Sequence, residues 1–181
     1  MSVESGLHAG EIYCLVSRLV NGVRWPWVFA RDDLPDVTRE KRPWCLILNT
    51  DPKDLPGTHW LALYAFQSGR IKLFDSFGFS LSMYGFDSLD LLHLLYSVQS
   101  PSFSVCGHYC IVYIYLRSRH TSQHQIFHLL LNISNHDLWV TKYIHNLKTL
   151  SRILNPCYHT CQCCQLNCQF CWTKWNETEM K

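Results

Sequence analysis

The sequence predicts an α+β fold, with a central mixed β-sheet flanked by helices and a Cys-rich tail at the C-terminus. Three observations carry this. Short apolar runs rich in β-branched and aromatic residues cluster between residues 44 and 77, separated by turn signals. Segments with apolar residues at helical spacing lie on either side of that cluster. Six of the ten cysteines fall between Cys157 and Cys171, behind the Asn155-Pro156 stop. The expected boundaries are therefore a domain over 1–156 and a tail over 157–181.

The bulk properties fit one folded domain. The chain has 181 residues, of which 48% are apolar and 17% charged, enough for a real core. A net charge of +2 gives no general attraction to nucleic acid or to a membrane. No apolar run reaches membrane-spanning length. The opening MSVESGLHAGEIYC has an early acid and no apolar stretch, so no secretory signal is expected. Cys14, Cys45, Cys106 and Cys110 are scattered, unlike a disulfide framework, which favours a reducing, intracellular setting.

Taken in order, Glu11 to Val20 reads as a short helix, with Ile12, Leu15, Val16 and Leu19 at helical spacing between Gly10 and Gly22. Residues 25–43 are turn-rich and polar and read as a surface loop, with Trp25 and Trp27 packed beneath it. Residues 44–50, 58–66 and 70–77 read as three strands. The last two form a hairpin through Gln67-Ser68-Gly69. The middle strand shows little alternation, so burial on both faces is expected. Residues 86–96 read as a helix capped by Asp87 or Ser88, with Leu89, Leu92, Leu95 and Tyr96 on one face and His93 as an ordinary packing residue. Further helices are expected from Cys106 to about Arg119 and from Thr121 to Leu131, the latter capped by Thr121 or Ser122. A longer one runs from about Asn135 to Leu154, with a stripe of Leu138, Tyr143, Ile144, Leu147, Leu150 and Leu154.

The tail holds two C-x-x-C pairs, Cys161/Cys164 and Cys168/Cys171. Each pair has the spacing to put two thiolates on one zinc ion, with Cys157 or His159 as further ligands. The three-residue gap between the pairs is far shorter than a zinc-ribbon loop, so disulfides or an unfolded tail remain open. Asn176-Glu177-Thr178 is a glycosylation sequon, without meaning where no secretory signal is read.

The chemistry centres on QSPSFSVCGHYC, residues 99–110. A cysteine opening a helix lies at the positive end of the dipole, which favours the thiolate, the nucleophilic form. Gly107 would keep the adjacent turn thin enough for a substrate backbone to approach. Gln99 offers a side-chain N–H to a developing oxyanion beside the Cys106 backbone N–H. An isolated Cys-Gly pair is more often a buried structural feature. His59 and Asp75 change that weighting. They are expected on neighbouring antiparallel strands joined by one tight hairpin, where a carboxylate can orient an imidazole.

Three segments together resemble the adenovirus-type protease (adenain) family of cysteine endopeptidases, related in fold to the ubiquitin-like-protein proteases. LILNTDPKDLPGTHWLALYAF is similar to that family's histidine strand, KLFDSFGFS to its acidic strand, and VQSPSFSVCGHYC to its Gln-to-Cys loop. The resemblance covers roughly Trp25 to Arg119. It implies a papain-like, adenain-like cysteine protease fold over 1–156. It also implies Cys106 as nucleophile, His59 as general base, Asp75 as the orienting carboxylate, Gln99 with the Cys106 N–H as the oxyanion hole, and Trp60 as a wall of the site. The adenoviral members carry Glu where this chain has Asp75. Asp is shorter, so strand register or a water must compensate; related ubiquitin-like-protein proteases commonly use Asp there.

The expectation from this resemblance is a viral cysteine endopeptidase that cleaves capsid and core precursors during virion maturation, in the host nucleus and the virion. No cofactor is needed for the chemistry. An activating peptide and DNA are implied by the resemblance, zinc is conceivable in the tail, and no membrane partner is expected. Lys142, Lys148, Arg152 and Lys174 form a sparse basic set that reads first as a solvated helix face, with nucleic-acid contact as the alternative. Two other readings use the same residues: a protease of ubiquitin-like modifiers, and a non-catalytic zinc-binding interaction module on a relic protease fold.

Overall fold

A computed structural model describes residues 6–20, 23–34, 37, 40–55, 57–86 and 91–154. The expected tail, 157–181, lies outside the described residues, as do Asp87, Ser88 and Leu89. Five strands form one sheet in the order β1-β2-β3-β4-β5. β1 is Arg24–Phe29, β2 Trp44–Asn49, β3 Trp60–Ala65, β4 Ile71–Phe74 and β5 Leu91–His93. The three central strands are antiparallel neighbours, and each outer strand runs parallel to the one it joins, so the sheet is mixed.

The central strands alternate between two apolar layers. Cys45, Ile47, Ala62, Tyr64 and Phe74 face the helices. Trp44, Leu46, Leu48, Leu61, Leu63 and Leu73 face the other way, beneath Val37, Phe86 and the 3₁₀ turn Leu81–Tyr84. β3 is thus buried on both faces, as its unbroken apolar run predicts.

Among the described residues, four helices cover the first face: α1 Ala9–Leu19, α2 Cys106–Ser118, α3 Gln123–Leu131 and α4 His136–Leu154. α1 starts before Glu11 because His8 caps it: His8 Nδ1 accepts from the Glu11 N–H, and Glu11 Oε2 accepts from the His8 N–H. Ser122 caps α3 with Gln125 in the reciprocal role. α2 lies across β3 as the central helix, and ten of its thirteen residues are buried. On α4, Val140, Ile144 and Leu147 face inward, whereas Leu138 is exposed and falls off the expected stripe. The Leu150 and Leu154 side chains lie outside the described parts.

Two readings are corrected. Residues 24–29 are not loop but an edge strand parallel to β2, with an irregularity between Arg24 and Pro26. Proline lacks an N–H and is tolerated at such an edge, and there it masks the strand signal. The Trp25 and Trp27 side chains lie outside the described parts. Residues 91–93 are not helical but form β5 against β4, pairing Leu91 with Ile71 and His93 with Leu73. Leu95 and Tyr96 are exposed, so the described part of 86–96 forms no apolar helix face. An open strand edge outweighed the weak helical preference of a leucine-rich stretch.

Candidate active site

His59 and Asp75 meet because their strands are antiparallel. Pairing of Ala62 with Phe74 sets the residues after Phe74 beside those before Ala62. His59 precedes β3, and its carbonyl accepts from the Thr50 N–H at 3.0 Å. Gly57, at φ 83, makes the approach: a Cβ there would lie 2.2 Å from Asn49 Nδ2. Asn49 in turn accepts from the Asp51 N–H at 2.8 Å and holds the loop.

The Asp75 side chain has no solvent exposure and accepts four hydrogen bonds. Oδ1 takes His59 Nε2 at 2.7 Å and the Phe77 N–H at 2.8 Å. Oδ2 takes the Phe79 N–H at 2.9 Å and the Tyr84 hydroxyl at 2.8 Å. That fills the acceptor sites of a carboxylate. Burial alone would raise the Asp75 pKa; the hydrogen bond and charge of His59, with Phe77 and Tyr84, outweigh burial and hold it below the ordinary value. The contact to His59 is direct, so strand register makes up for the shorter aspartate side chain.

Two aromatic rings pack near the His59 ring. The Phe77 centroid is 4.8 Å away and tilted, and the Tyr84 centroid is 5.9 Å away and stacked. With Nε2 on Asp75, Nδ1 is the second ring nitrogen; it is buried and makes no hydrogen bond. Burial pulls the His59 pKa down, but Asp75, followed by Cys106, more than offsets it and raises it from 6.5 to about 9.

Cys106 is the first residue of α2 and is buried. Val105 precedes it, and no side chain caps the helix, which leaves the first-turn N–H groups without a capping acceptor. Gly107 has another job than the one expected from sequence. A Cβ there would lie 3.1 Å from Ile12 Cδ1, 3.3 Å from Leu7 Cβ and 3.5 Å from Trp60 Cδ1. Gly107 therefore lets α2 pack against the N-terminal segment and Trp60. Trp60 donates its indole N–H to the Leu7 carbonyl at 3.2 Å.

Gln99 is buried on the turn beside Asp75. The Val98 and Gln99 N–H groups both donate to the Ser76 carbonyl, at 2.8 and 2.9 Å. Ser76 Oγ donates to Gln99 Oε1 at 2.7 Å, which leaves the amide nitrogen pointing the other way. One of its two hydrogens goes to the Phe103 carbonyl at 2.6 Å, within the same loop. Gly78, at φ 67, allows the two turns to touch: a Cβ would lie 2.6 Å from the Tyr96 carbonyl carbon. Asp75 thus holds His59 while Ser76 holds Gln99.

Sequence reading did not single out Ser76 or Tyr84. Ser76 has a faint signal, since it adjoins Asp75 and precedes the Phe77-Gly78 turn. Tyr84 has none, because its contact arises only when the 3₁₀ turn folds over Asp75. Among the described residues no three His, Cys, Asp or Glu side chains form a group that could hold a metal ion, and no helix is long and apolar enough to cross a membrane.

The arrangement is an imidazole bound by a buried carboxylate, next to a helix-initiating cysteine and a buried glutamine, at one end of an α+β sheet. No family model matches the chain. Over 91 residues it is 31% identical to the protease of bovine adenovirus C serotype 10. The match takes in 39% of this chain and 46% of that protease, so it spans less than half of the relative's length. The chain therefore bears a weak, partial resemblance to an adenovirus protease.

Proposed function

We propose that this chain is a viral cysteine endopeptidase that cleaves structural precursor proteins during virion maturation. The observation that carries the reading is the His59–Asp75 pair: Nε2 on the buried carboxylate at 2.7 Å, and a buried Nδ1 without a hydrogen bond. The partial resemblance to a protein named as an adenovirus protease supports the peptidase class and a viral origin.

In this mechanism Asp75 keeps a proton on Nε2 and stabilises the imidazolium. Nδ1 takes the proton of Cys106. The thiolate, at the uncapped start of α2, attacks the scissile carbonyl carbon, and the carbonyl electron pair moves to oxygen. The Cys106 backbone N–H and the second amide hydrogen of Gln99 receive that charge. Collapse forms the thioester, and the amine leaves with the proton from Nδ1. Water, deprotonated by Nδ1, then releases the acid and restores the thiol. Trp60 walls the site beside Gly107.

The peptide, DNA and zinc expectations belong to the same proposal, as does residence in the virion and host nucleus. The test is cleavage of a virion-precursor peptide panel by the wild-type chain in reducing buffer, with and without DNA, zinc and candidate activating peptides. Cleavage that disappears in Cys106→Ala supports the reading. Cleavage that survives in Cys106→Ala, or none under any condition, removes it.

A further inference from the structure

The Gln99 loop is held from two sides. On the sheet side, Ser76 takes the Val98 and Gln99 N–H groups. On the helix side, the next residue is held by a carboxylate: the Ser100 N–H lies 3.2 Å from Asp137 Oδ2 and 3.4 Å from Oδ1. Asp137 is in the first turn of α4 and is buried. An acid there suits the helix dipole, which is the ordinary reason to find one. Its oxygens are nevertheless aimed across the fold. Besides Ser100, Oδ1 accepts from the Tyr109 hydroxyl at 3.0 Å.

Tyr109 makes this contact relevant to the site. It lies on α2, three residues after Cys106, and has no solvent exposure. Its one hydroxyl hydrogen is shared between Asp137 Oδ1 and the Val98 carbonyl, 2.9 Å away, and its oxygen lies 2.8 Å from His136 Nδ1. One side chain on the cysteine helix and one on α4 therefore grip the backbone on either side of Gln99. The three consecutive residues 98, 99 and 100 are each tied down.

We infer that Asp137 is a positioning residue for the oxyanion hole: by binding the Ser100 N–H and the Tyr109 hydroxyl, it sets the Gln99 loop against the helix that carries Cys106. This rests on the endopeptidase reading above. An oxyanion donor acts only within a narrow range of distance from the developing charge, so the register between loop and helix matters. A carboxylate suits the task because its charged hydrogen bonds are stronger than neutral ones.

The role separates two reactions of Cys106. Attack on a peptide carbonyl generates an oxyanion and needs Gln99 in place. Alkylation by iodoacetamide forms a C–S bond as iodide leaves and generates no oxyanion. The experiment measures both on the full chain, for wild type, Asp137→Ala and Tyr109→Phe, the last keeping the ring in the core. Turnover is read with a fluorogenic peptide amide, and alkylation by intact mass. The expected result is kcat lower by about 10²-fold in Asp137→Ala, and lowered in the same direction in Tyr109→Phe, with KM and the alkylation rate unchanged. Unchanged kcat in both variants overturns the inference, and so does an equal fall in turnover and alkylation, which indicates general structural support. A wild type that neither turns over nor alkylates at Cys106 removes the endopeptidase reading itself. An active wild type with unaffected variants removes only the role of Asp137.

Discussion

Replacing Asp75 by Asn keeps the shape of the side chain and removes its charge. The wild-type carboxylate accepts from four donors. An amide has one oxygen and one NH2 group, so either orientation turns the NH2 toward donors. At least one backbone N–H, of Phe77 or of Phe79, then loses its acceptor, at about 1–3 kcal/mol if it is left unpaired. The larger effect is on His59. Its rise from 6.5 to about 9 occurs against burial, with Asp75 the leading cause. At about 1.4 kcal/mol per tenfold in proton affinity, that rise corresponds to about 3 kcal/mol favouring the imidazolium in the folded state.

The sign follows from linkage. A group whose folded pKa is raised contributes its full stabilisation below the unfolded value, and the contribution is lost as pH rises through the folded value. For His59 the window runs from 6.5 to about 9. Urea denaturation of wild type and Asp75→Asn near pH 6 should differ by about 3 kcal/mol plus the cost of the orphaned N–H. Above the folded pKa of about 9 only the second part should remain. In the same variant, kcat should fall by about 10⁴-fold, the scale expected when an imidazole loses the partner that fixes its tautomer. An equal stability deficit at both pH values, or turnover within about tenfold of wild type, would refute this reasoning.

Three further outcomes are expected. Gln99→Ala should lower kcat by about 10²–10³-fold in steady-state assays, and Ser76→Ala should lower it in the same direction by freeing the Gln99 amide to turn. Tyr84→Phe removes one of the hydrogen bonds to the buried Asp75 carboxylate; urea unfolding near neutral pH should show a loss of about 1.5–3 kcal/mol. Gly107→Ala should destabilise by up to about 2 kcal/mol in the same assay, because Leu7 and Ile12 must give to admit the methyl group while about 1 kcal/mol is recovered from the helix preference of alanine over glycine.

The parts of the fold legible in the sequence were those with a local cause. β3 reads as a buried strand because nothing polar interrupts Trp60–Ala65. α3 begins where Ser122 and Gln125 form their reciprocal cap. The parts that were not legible depend on distant partners. β5 exists because β4 offers an edge, and the leucines of 89–96 alone suggest a helix. β1 is masked by Pro26, and its pairing with β2 is parallel and non-local.

The site divides in the same way. His59, Asp75, Gln99 and Cys106, the residues of the proposed site, are legible as candidates because their residue types and order suit one chemistry. Ser76, Tyr84 and Asp137 act through contacts made only after folding, across turns or between helices. Gly107 shows the limit of local reasoning. A glycine beside a cysteine suggests room for substrate, while its neighbours are Leu7, Ile12 and Trp60.

The most direct test of the central claim is covalent labelling with a peptide electrophile ending in Gly-Gly, read by intact mass in reducing buffer. Wild type, Cys106→Ala and His59→Ala are compared, with and without DNA and candidate activating peptides. The account predicts one label on wild type, located at Cys106, and none on either variant. Labelling that persists in Cys106→Ala, or wild type that stays unlabelled under every condition, would contradict it.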